Sequence, residues 1–240
     1  MFSVALIGPD GAGKTTVARH LESKFPGRIR YIYMGVSVDS TNVALPTTRL
    51  VKFVKEKIRH KSGTPEIKNR IPPDQKAKSG KKSGKVRATL RFTNRLAEEW
   101  YRQFLSWNYR RTGHIVLYDR HYKFDYELEK DQGQSQDLRF SDWLHRWCLA
   151  NLYPTPDLVI YLDAPAEVLF ARKGEFTLEW LESRRQAFLQ QGRRTSNFVI
   201  VDATQPLDTV IAQVADQILH YQRHQRAAEV STSATAVAAS

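Results

Sequence analysis

The stretch GPDGAGKTT, residues 8–16, directly follows an apolar run at residues 2–7. It matches the pattern G-x-x-x-x-G-K-[ST] at every fixed position, namely Gly8, Gly13, Lys14 and Thr15. Glycines let successive backbone N–H groups turn inward around phosphate oxygens, and the following helix presents its positive N-terminal end. The apolar run predicts a buried strand, and TTVARHLESKF predicts an amphipathic helix. The motif therefore has the strand–loop–helix context of a nucleotide phosphate site.

The loop assigns roles to particular side chains. In this pattern Lys14 reaches the β- and γ-phosphates, and the Thr15 hydroxyl binds Mg²⁺. ATP and Mg²⁺ are therefore the predicted cofactors. The alternative is a glycine-rich turn that binds no ligand. The residues predicted to line the nucleotide site are Gly8, Asp10, Gly11, Ala12, Gly13, Lys14, Thr15 and Thr16.

Length and composition predict one α/β domain. The 240 residues suffice for a well-buried core, and we place the domain at 1–226. The single cysteine, Cys148, excludes an intramolecular disulfide, and no run approaches 18 apolar residues. Because the first residues also lack the features of a signal peptide, we expect a cytoplasmic protein.

The positive charge is confined to one segment. Residues 49–91 carry 15 basic and three acidic residues, which accounts for the whole net charge of +12. Within them, 47–58 predicts a basic amphipathic helix, whereas 60–85 is rich in Lys, Gly, Ser and Pro and predicts a mobile insertion. The tail at 227–240 has no hydrophobic pattern, and we expect it to be disordered.

The rest of the chain alternates between strand and helix patterns. Such alternation predicts right-handed crossovers and a parallel sheet covered by helices on both faces. Ligands of such sheets lie beyond the carboxyl ends of the strands, so 8–16, 119–126, Asp163 and 202–205 should share one rim. The predicted strands are 2–7, 29–35, 114–119, 157–163 and 197–203, and the predicted helices after the first are 88–112, 137–152, 166–172, 178–191 and 207–226.

Five motifs in order resemble the thymidylate kinase family of P-loop nucleoside-monophosphate kinases. They are GPDGAGKTT, IVLYDRHY at 115–122, PDLVIYLDAPAEV at 156–168, RRQAF at 184–188 and VIVDATQPLDTV at 199–210. The resemblance implies a three-layer α/β/α P-loop kinase fold. It also implies ATP-dependent phosphorylation of a nucleoside monophosphate, most specifically dTMP, and a homodimer.

Two aspartates compete for the metal. Asp119 and Asp163 each end an apolar strand, where a carboxylate can hold a metal-bound water or orient an acceptor. We favour Asp119, because the adjacent Arg120 resembles the family's arginine that clamps the acceptor phosphate. Thr15 and Asp119 are thus the predicted metal residues. The alternative role for Asp163 is an N-terminal helix cap before Pro165.

Four basic residues lie in or shortly after the predicted lid, the segment between Arg172 and Glu179. Since Ala12 stands where some family members carry an arginine in the loop, the resemblance implies that a lid residue must neutralise charge in the transition state. The family resemblance favours Arg172 and Arg185 from the set Arg172, Lys173, Arg184 and Arg185. With Lys14, Asp119 and Arg120, they complete the predicted catalytic set.

Other candidates rest mainly on the resemblance. Asp10 resembles the family's contact to the acceptor sugar, or else it braces the loop. His121 replaces the family's aromatic residue, and a neutral, packed histidine is expected there. Arg95 with Phe92 is a candidate for base recognition.

Two departures concern the acceptor. The family's Glu-Pro-Gly-Gly-Thr segment is replaced by MGVSVDSTN at 34–42, and the lid between Arg172 and Glu179 is short. An alternative is therefore a kinase for another acceptor, such as a nucleoside or a sugar phosphate. A third reading is a non-catalytic ATP-binding module whose basic segment 49–91 contacts nucleic acid or an anionic membrane. Nucleic acid is the less favoured partner, because the charge outside 49–91 is balanced.

Overall fold

A computed structural model of the chain describes residues 1–35, 43, 45, 85–131, 144–145, 147–148 and 151–238. Within these residues, the five strands follow in the predicted order, and a helix at Tyr122–Asp131, which was not predicted, follows the third strand. The strands are β1 (Ser3–Ile7), β2 (Ile29–Tyr33), β3 (Ile115–Asp119), β4 (Leu158–Asp163) and β5 (Phe198–Asp202). The helices are α1 (Lys14–Lys24), α2 (Lys85–Arg111), α3 (Tyr122–Asp131), α4 (Ala166–Lys173), α5 (Leu178–Gly192) and α6 (Leu207–Ala238).

The strands form a parallel sheet in the order β2-β3-β1-β4-β5. The chain leaves the central strand β1 toward β2 at one edge, and it later passes from β3 across β1 to β4. This change of direction makes the carboxyl end of β1 a topological switch point, which is where such sheets bind ligands. The glycine loop (residues 8–16) follows β1 at that point.

Alternation along β1 supplies two hydrophobic cores. Val4 and Leu6 lie in one core, which includes Leu21 of α1, whereas Ala5 and Ile7 lie in the other, which includes Phe188 of α5. Burying each large aliphatic or aromatic side chain contributes about 1.5–3 kcal/mol relative to exposure. Because helices cover both faces, the predicted three-layer α/β/α architecture is confirmed.

Some predicted boundaries change. α6 continues past Arg226, where the sequence predicted its end and a disordered tail, to Ala238. The reason is local, since alanines recur through 227–238 and alanine is the strongest helix former. The division into a domain at 1–226 and a tail stays a prediction.

Other predictions fall outside the described residues. These are the amphipathic helix at 47–58 and the insertion at 60–85, except that Lys85 begins α2. For the predicted helix at 137–152, residues 144–145, 147–148 and 151 are described and helical. Within the described ranges, no helix has both the length and the apolar composition of a membrane span.

Candidate active site

Two glycines let the glycine loop lie against β4 and α4. Gly8 and Gly11 have φ values of 147° and 92°, which side chains rarely adopt. A Cβ on Gly8 would lie 2.7 Å from the carbonyl oxygen of Leu162, and one on Gly11 would lie 2.8 Å from that of Leu169. Either side chain would force the loop away, so both positions require glycine.

Lys14 is a buried cation at the centre of the loop. Its Nζ donates hydrogen bonds to the carbonyl oxygens of Gly8, at 2.8 Å, and Pro9, at 2.7 Å. Burial, with a smaller contribution from Arg120, lowers the pKa of Lys14 to about 8. The ammonium group is therefore bonded to backbone carbonyls of the glycine loop and is charged near neutral pH.

The Thr15 hydroxyl contacts Asp119 at the end of β3. Oγ1 of Thr15 donates to Oδ2 of Asp119 at 2.5 Å, and the Tyr31 hydroxyl donates to the same oxygen at 3.2 Å. Asp119 is fully buried, and its Oδ1 has no hydrogen-bond partner among the described residues. A buried carboxylate oxygen without a donor is costly unless something else binds it.

This arrangement fits a hard divalent cation. Mg²⁺ is commonly held by one or two carboxylates together with substrate phosphates and waters. In the described ranges, no cluster of three or more His, Cys, Asp or Glu could hold a metal. The orphaned oxygen of Asp119 beside the Thr15 hydroxyl therefore matches a site whose remaining ligands come from a bound nucleotide and water.

Asp10 of the glycine loop holds two cations. Nη2 of Arg120 hydrogen-bonds to Oδ1 of Asp10, and Nζ of Lys173 lies 3.4 Å from the same oxygen. Burial alone would raise the pKa of Asp10, but Arg120, Lys14 and Lys173 together lower it to about 2. Arg120 itself has a φ of 69°, an uncommon backbone conformation for a residue with a side chain. The loop carboxylate thus joins the ends of β3 and α4.

Asp163 at the end of β4 forms an ion pair with α5. Nε and Nη2 of Arg185 donate to its two carboxylate oxygens at 2.7 and 2.8 Å, and the Tyr161 hydroxyl adds a bond of 3.1 Å. The predicted cap role is wrong, since Pro165 is the N-cap of α4 and no side chain caps it. A bidentate guanidinium offers two charge-assisted bonds, which outweigh a single cap bond.

The other basic lid residues have different surroundings. Arg172 is exposed and makes no hydrogen bond or ion pair with the described residues. Arg184 lies 3.7 Å from Asp125, and its guanidinium is 5.6 Å from the ring centroid of Trp180. Lys173 also approaches Glu175, at 2.9 Å. Only part of the predicted basic set is therefore gathered at the glycine loop.

The remaining candidates lie beside this centre. His121 is buried between Tyr118 and Phe124, and burial, followed by the charge of Lys123, lowers its pKa to about 4. It is thus neutral near neutral pH, as expected from the sequence. On α2, the exposed Arg95 bonds to Glu99 at 3.2 Å, and the ring centroid of Phe92 lies 6.5 Å from that of His145. Thr16 is exposed, and Ala12 is buried.

Sequence reasoning missed Tyr31 as a neighbour of the site. In the sheet Tyr31 lies opposite Leu117, and Tyr33 lies opposite Asp119. Since alternate residues of a strand share a face, Tyr31 and Asp119 lie on the same face of adjacent strands. The alternating pattern of β2 predicts which face Tyr31 shares with Tyr33. Only the strand order shows that this face of β2 adjoins Asp119.

Part of the chain is similar in sequence to a known protein. The chain is 33% identical over 79 residues to a thymidylate kinase of Thermosipho africanus. The match covers 30% of this chain and 38% of that relative, so it spans less than half of the relative's length. No protein-family model matches the chain. The match and the parallel three-layer fold are compatible with a nucleotide kinase.

Proposed function

We propose that the protein is an ATP-dependent kinase that phosphorylates a small phosphorylated acceptor, most specifically dTMP to dTDP. The observation that carries the proposal is the hydrogen bond between Thr15 and the buried Asp119, beside the Lys14 ammonium. The partial match to a thymidylate kinase supports the acceptor class.

On the donor side, each residue has a distinct task. Lys14 neutralises the charge of the β- and γ-phosphates, which requires it to exchange its bonds to Gly8 and Pro9 for phosphate oxygens. Thr15 and Asp119 would hold Mg²⁺. The ion, when bound, supplies positive charge that offsets the charge of the phosphates.

On the acceptor side, Arg120 grips the acceptor phosphate. Its planar guanidinium suits bidentate contact with a phosphate, and Asp10 orients it. Asp10 either also contacts the acceptor sugar or serves as this brace alone. Arg172 and Arg185 stay the lid arginines proposed from the family resemblance, and Arg185 would have to leave Asp163 to act there. The other loop residues proposed to bind the nucleotide are Gly8, Gly11, Ala12, Gly13 and Thr16.

The reaction needs no protein base. The bond between the γ-phosphorus and the β,γ-bridging oxygen breaks, and a bond forms between that phosphorus and an oxygen of the acceptor phosphate. The acceptor oxygen is already ionised near neutral pH, so no proton has to be removed. Positioning and positive charge then carry the catalysis, which is what the basic residues of the rim provide.

The test is ADP formation from ATP with a panel of acceptors. The panel contains dTMP, the other nucleoside monophosphates, thymidine and several sugar phosphates. We expect the highest kcat/KM with dTMP, and we expect no turnover by Lys14→Ala. ATP binding without acceptor-dependent ADP formation would contradict the kinase assignment.

A second candidate keeps the donor site and changes the acceptor. It is favoured by MGVSVDSTN at 34–42, which replaces the segment that thymidylate kinases carry after the second strand. The same panel separates the two candidates, because turnover of a nucleoside or sugar phosphate with dTMP inactive would select the second.

A further inference from the structure

The end of α4 is fixed beside the glycine loop. The loop lies against the backbone of Leu169, where only glycine at position 11 leaves room. α4 then ends at Lys173, because Gly174 adopts a left-handed conformation with φ 64° and its N–H donates to the carbonyl oxygen of Phe170. The fold therefore places the last side chain of this helix at the loop.

Lys173 contacts one carboxylate of the loop and one that follows α4. Its Nζ lies 3.4 Å from Oδ1 of Asp10 and 2.9 Å from Oε2 of Glu175. Arg120 bonds to the same oxygen of Asp10. One carboxylate oxygen thus contacts two cations, one that directly follows β3 and one at the end of α4.

The other basic residues of α4 and α5 lack this contact. Arg185 is held by both oxygens of Asp163, and Arg184 stacks on Trp180 and Phe188. Arg172 is exposed and makes no hydrogen bond or ion pair with the described residues. Among these four, Lys173 is the cation that touches the glycine loop in the described part of the chain.

We propose that Lys173 contacts the transferred phosphoryl group and that Asp10 positions the Lys173 ammonium beside Arg120. The inference rests on the proposed kinase function and adds Lys173 to the lid arginines proposed for that site. The side chain is 38% exposed, so a ligand can reach it. The contact of 3.4 Å with Asp10 is long for a hydrogen bond, and the ion pair with Glu175 is exposed to solvent, so little is lost when the ammonium moves to a phosphate oxygen. A lysine in this position supplies the charge that Ala12 does not.

The test compares Lys173→Gln with Lys24→Gln, a lysine in the last turn of α1 that is exposed and lies away from the rim. The first measurement is turnover with the best acceptor. The second, made without an acceptor, is the trapping of MgADP by fluoroaluminate, which mimics a phosphoryl group during transfer. We expect Lys173→Gln to lower kcat about 100-fold and to weaken trapping about as much, with ADP affinity within about twofold. Lys24→Gln should match the wild type, and Lys173→Arg should recover part of the loss.

Several outcomes decide the inference. Trapping by Lys173→Gln at the wild-type level would overturn it, and so would a loss that appears at Arg172→Gln instead. A loss of ADP affinity equal to the loss of trapping would assign Lys173 to ground-state binding and also overturn it. The trapping step needs no acceptor, so it decides the inference even if no acceptor of the panel is phosphorylated, an outcome that would count against the proposed function alone. Melting curves of both variants exclude unfolding as the cause.

Discussion

Two carboxylates end the strands on either side of β1, and their surroundings differ. Asp119 is fully buried, bonds to the Thr15 hydroxyl and keeps one oxygen without a partner in the described part of the chain. Asp163 is partly exposed, and Arg185 occupies both of its oxygens. Each follows an apolar strand, so the sequence pattern alone does not separate them. The neighbouring side chains decide, because the hydroxyl groups bonded to Asp119 leave its Oδ1 available to a cation, whereas the guanidinium on Asp163 already neutralises that carboxylate and would repel a metal ion.

The largest expected effect is that of a substitution in the proposed ATP site, on the Asp119 side of this comparison. Lys14→Ala should lower turnover by at least about 1,000-fold, because the proposed role of this buried ammonium is to bind the transferred phosphates. The melting temperature should change little, since the hydrophobic cores are untouched. Initial rates and a melting curve are measured on the same preparation. Near-normal rates in the folded variant would contradict the donor-site assignment.

A substitution of Arg120 should weaken acceptor binding and turnover without changing ATP binding. We expect Arg120→Ala to raise the acceptor KM about 10-fold and to lower kcat by about 10- to 100-fold, since the proposed bidentate contact with the acceptor phosphate is lost. ATP affinity should stay near that of the wild type. The measurement is a full kinetic matrix with ATP and acceptor varied independently. Loss of ATP binding would instead place Arg120 on the donor side.

Asp163 should behave as part of a structural ion pair. Removing one carboxylate oxygen in Asp163→Asn should cost about 2 kcal/mol and lower Tm by about 4–8 °C, because charge-assisted bonds to Arg185 are lost. MgATP affinity should remain within about twofold of the wild type. Thermal unfolding and calorimetric titration check the two statements. A selective loss of MgATP binding without loss of stability would reverse the assignment of the two aspartates.

The smallest expected effect is a pH dependence at Asp10. Its pKa falls from an ordinary value of 3.8 to about 2 in the folded protein. The lowered pKa means that the folded state binds fewer protons, so this stabilisation is complete above the ordinary pKa and is lost as pH falls toward about 2. Because the Asp10 side chain is partly exposed and solvent screens its ion pairs, Asp10→Asn should cost about 1 kcal/mol near neutral pH, which is less than the full shift would give. Denaturant titrations should show the difference shrinking in acid, and an equal difference at all pH values would contradict this.

Much of the architecture could be predicted from the chain because its signals are local. Apolar runs predicted the five described strands, and the glycine pattern predicted the loop after β1 with Thr15 and Lys14 in it. The choice of Asp119 over Asp163 used the neighbouring Arg120, and the structure places Asp119 beside Thr15.

The rest could not be predicted because it depends on distant side chains. Arg185 lies 22 residues beyond Asp163, next to a second arginine, Arg184, on the same helix, so no spacing selects it as the partner. Tyr31 reaches Asp119 only because β2 is the neighbour of β3. The convergence of Arg120 and Lys173 on Asp10 likewise requires the packing of α4 against the loop.

The most direct test of the account is calorimetric titration of ATP, with and without Mg²⁺, into the wild type, Asp119→Asn and Asp163→Asn. We predict that Mg²⁺ tightens ATP binding by the wild type and by Asp163→Asn, and that Asp119→Asn binds ATP equally with and without Mg²⁺. Melting curves ensure that each variant is folded. Mg²⁺-dependent binding that survives in Asp119→Asn and disappears in Asp163→Asn would contradict the account, because the metal would then be held on the other side of β1.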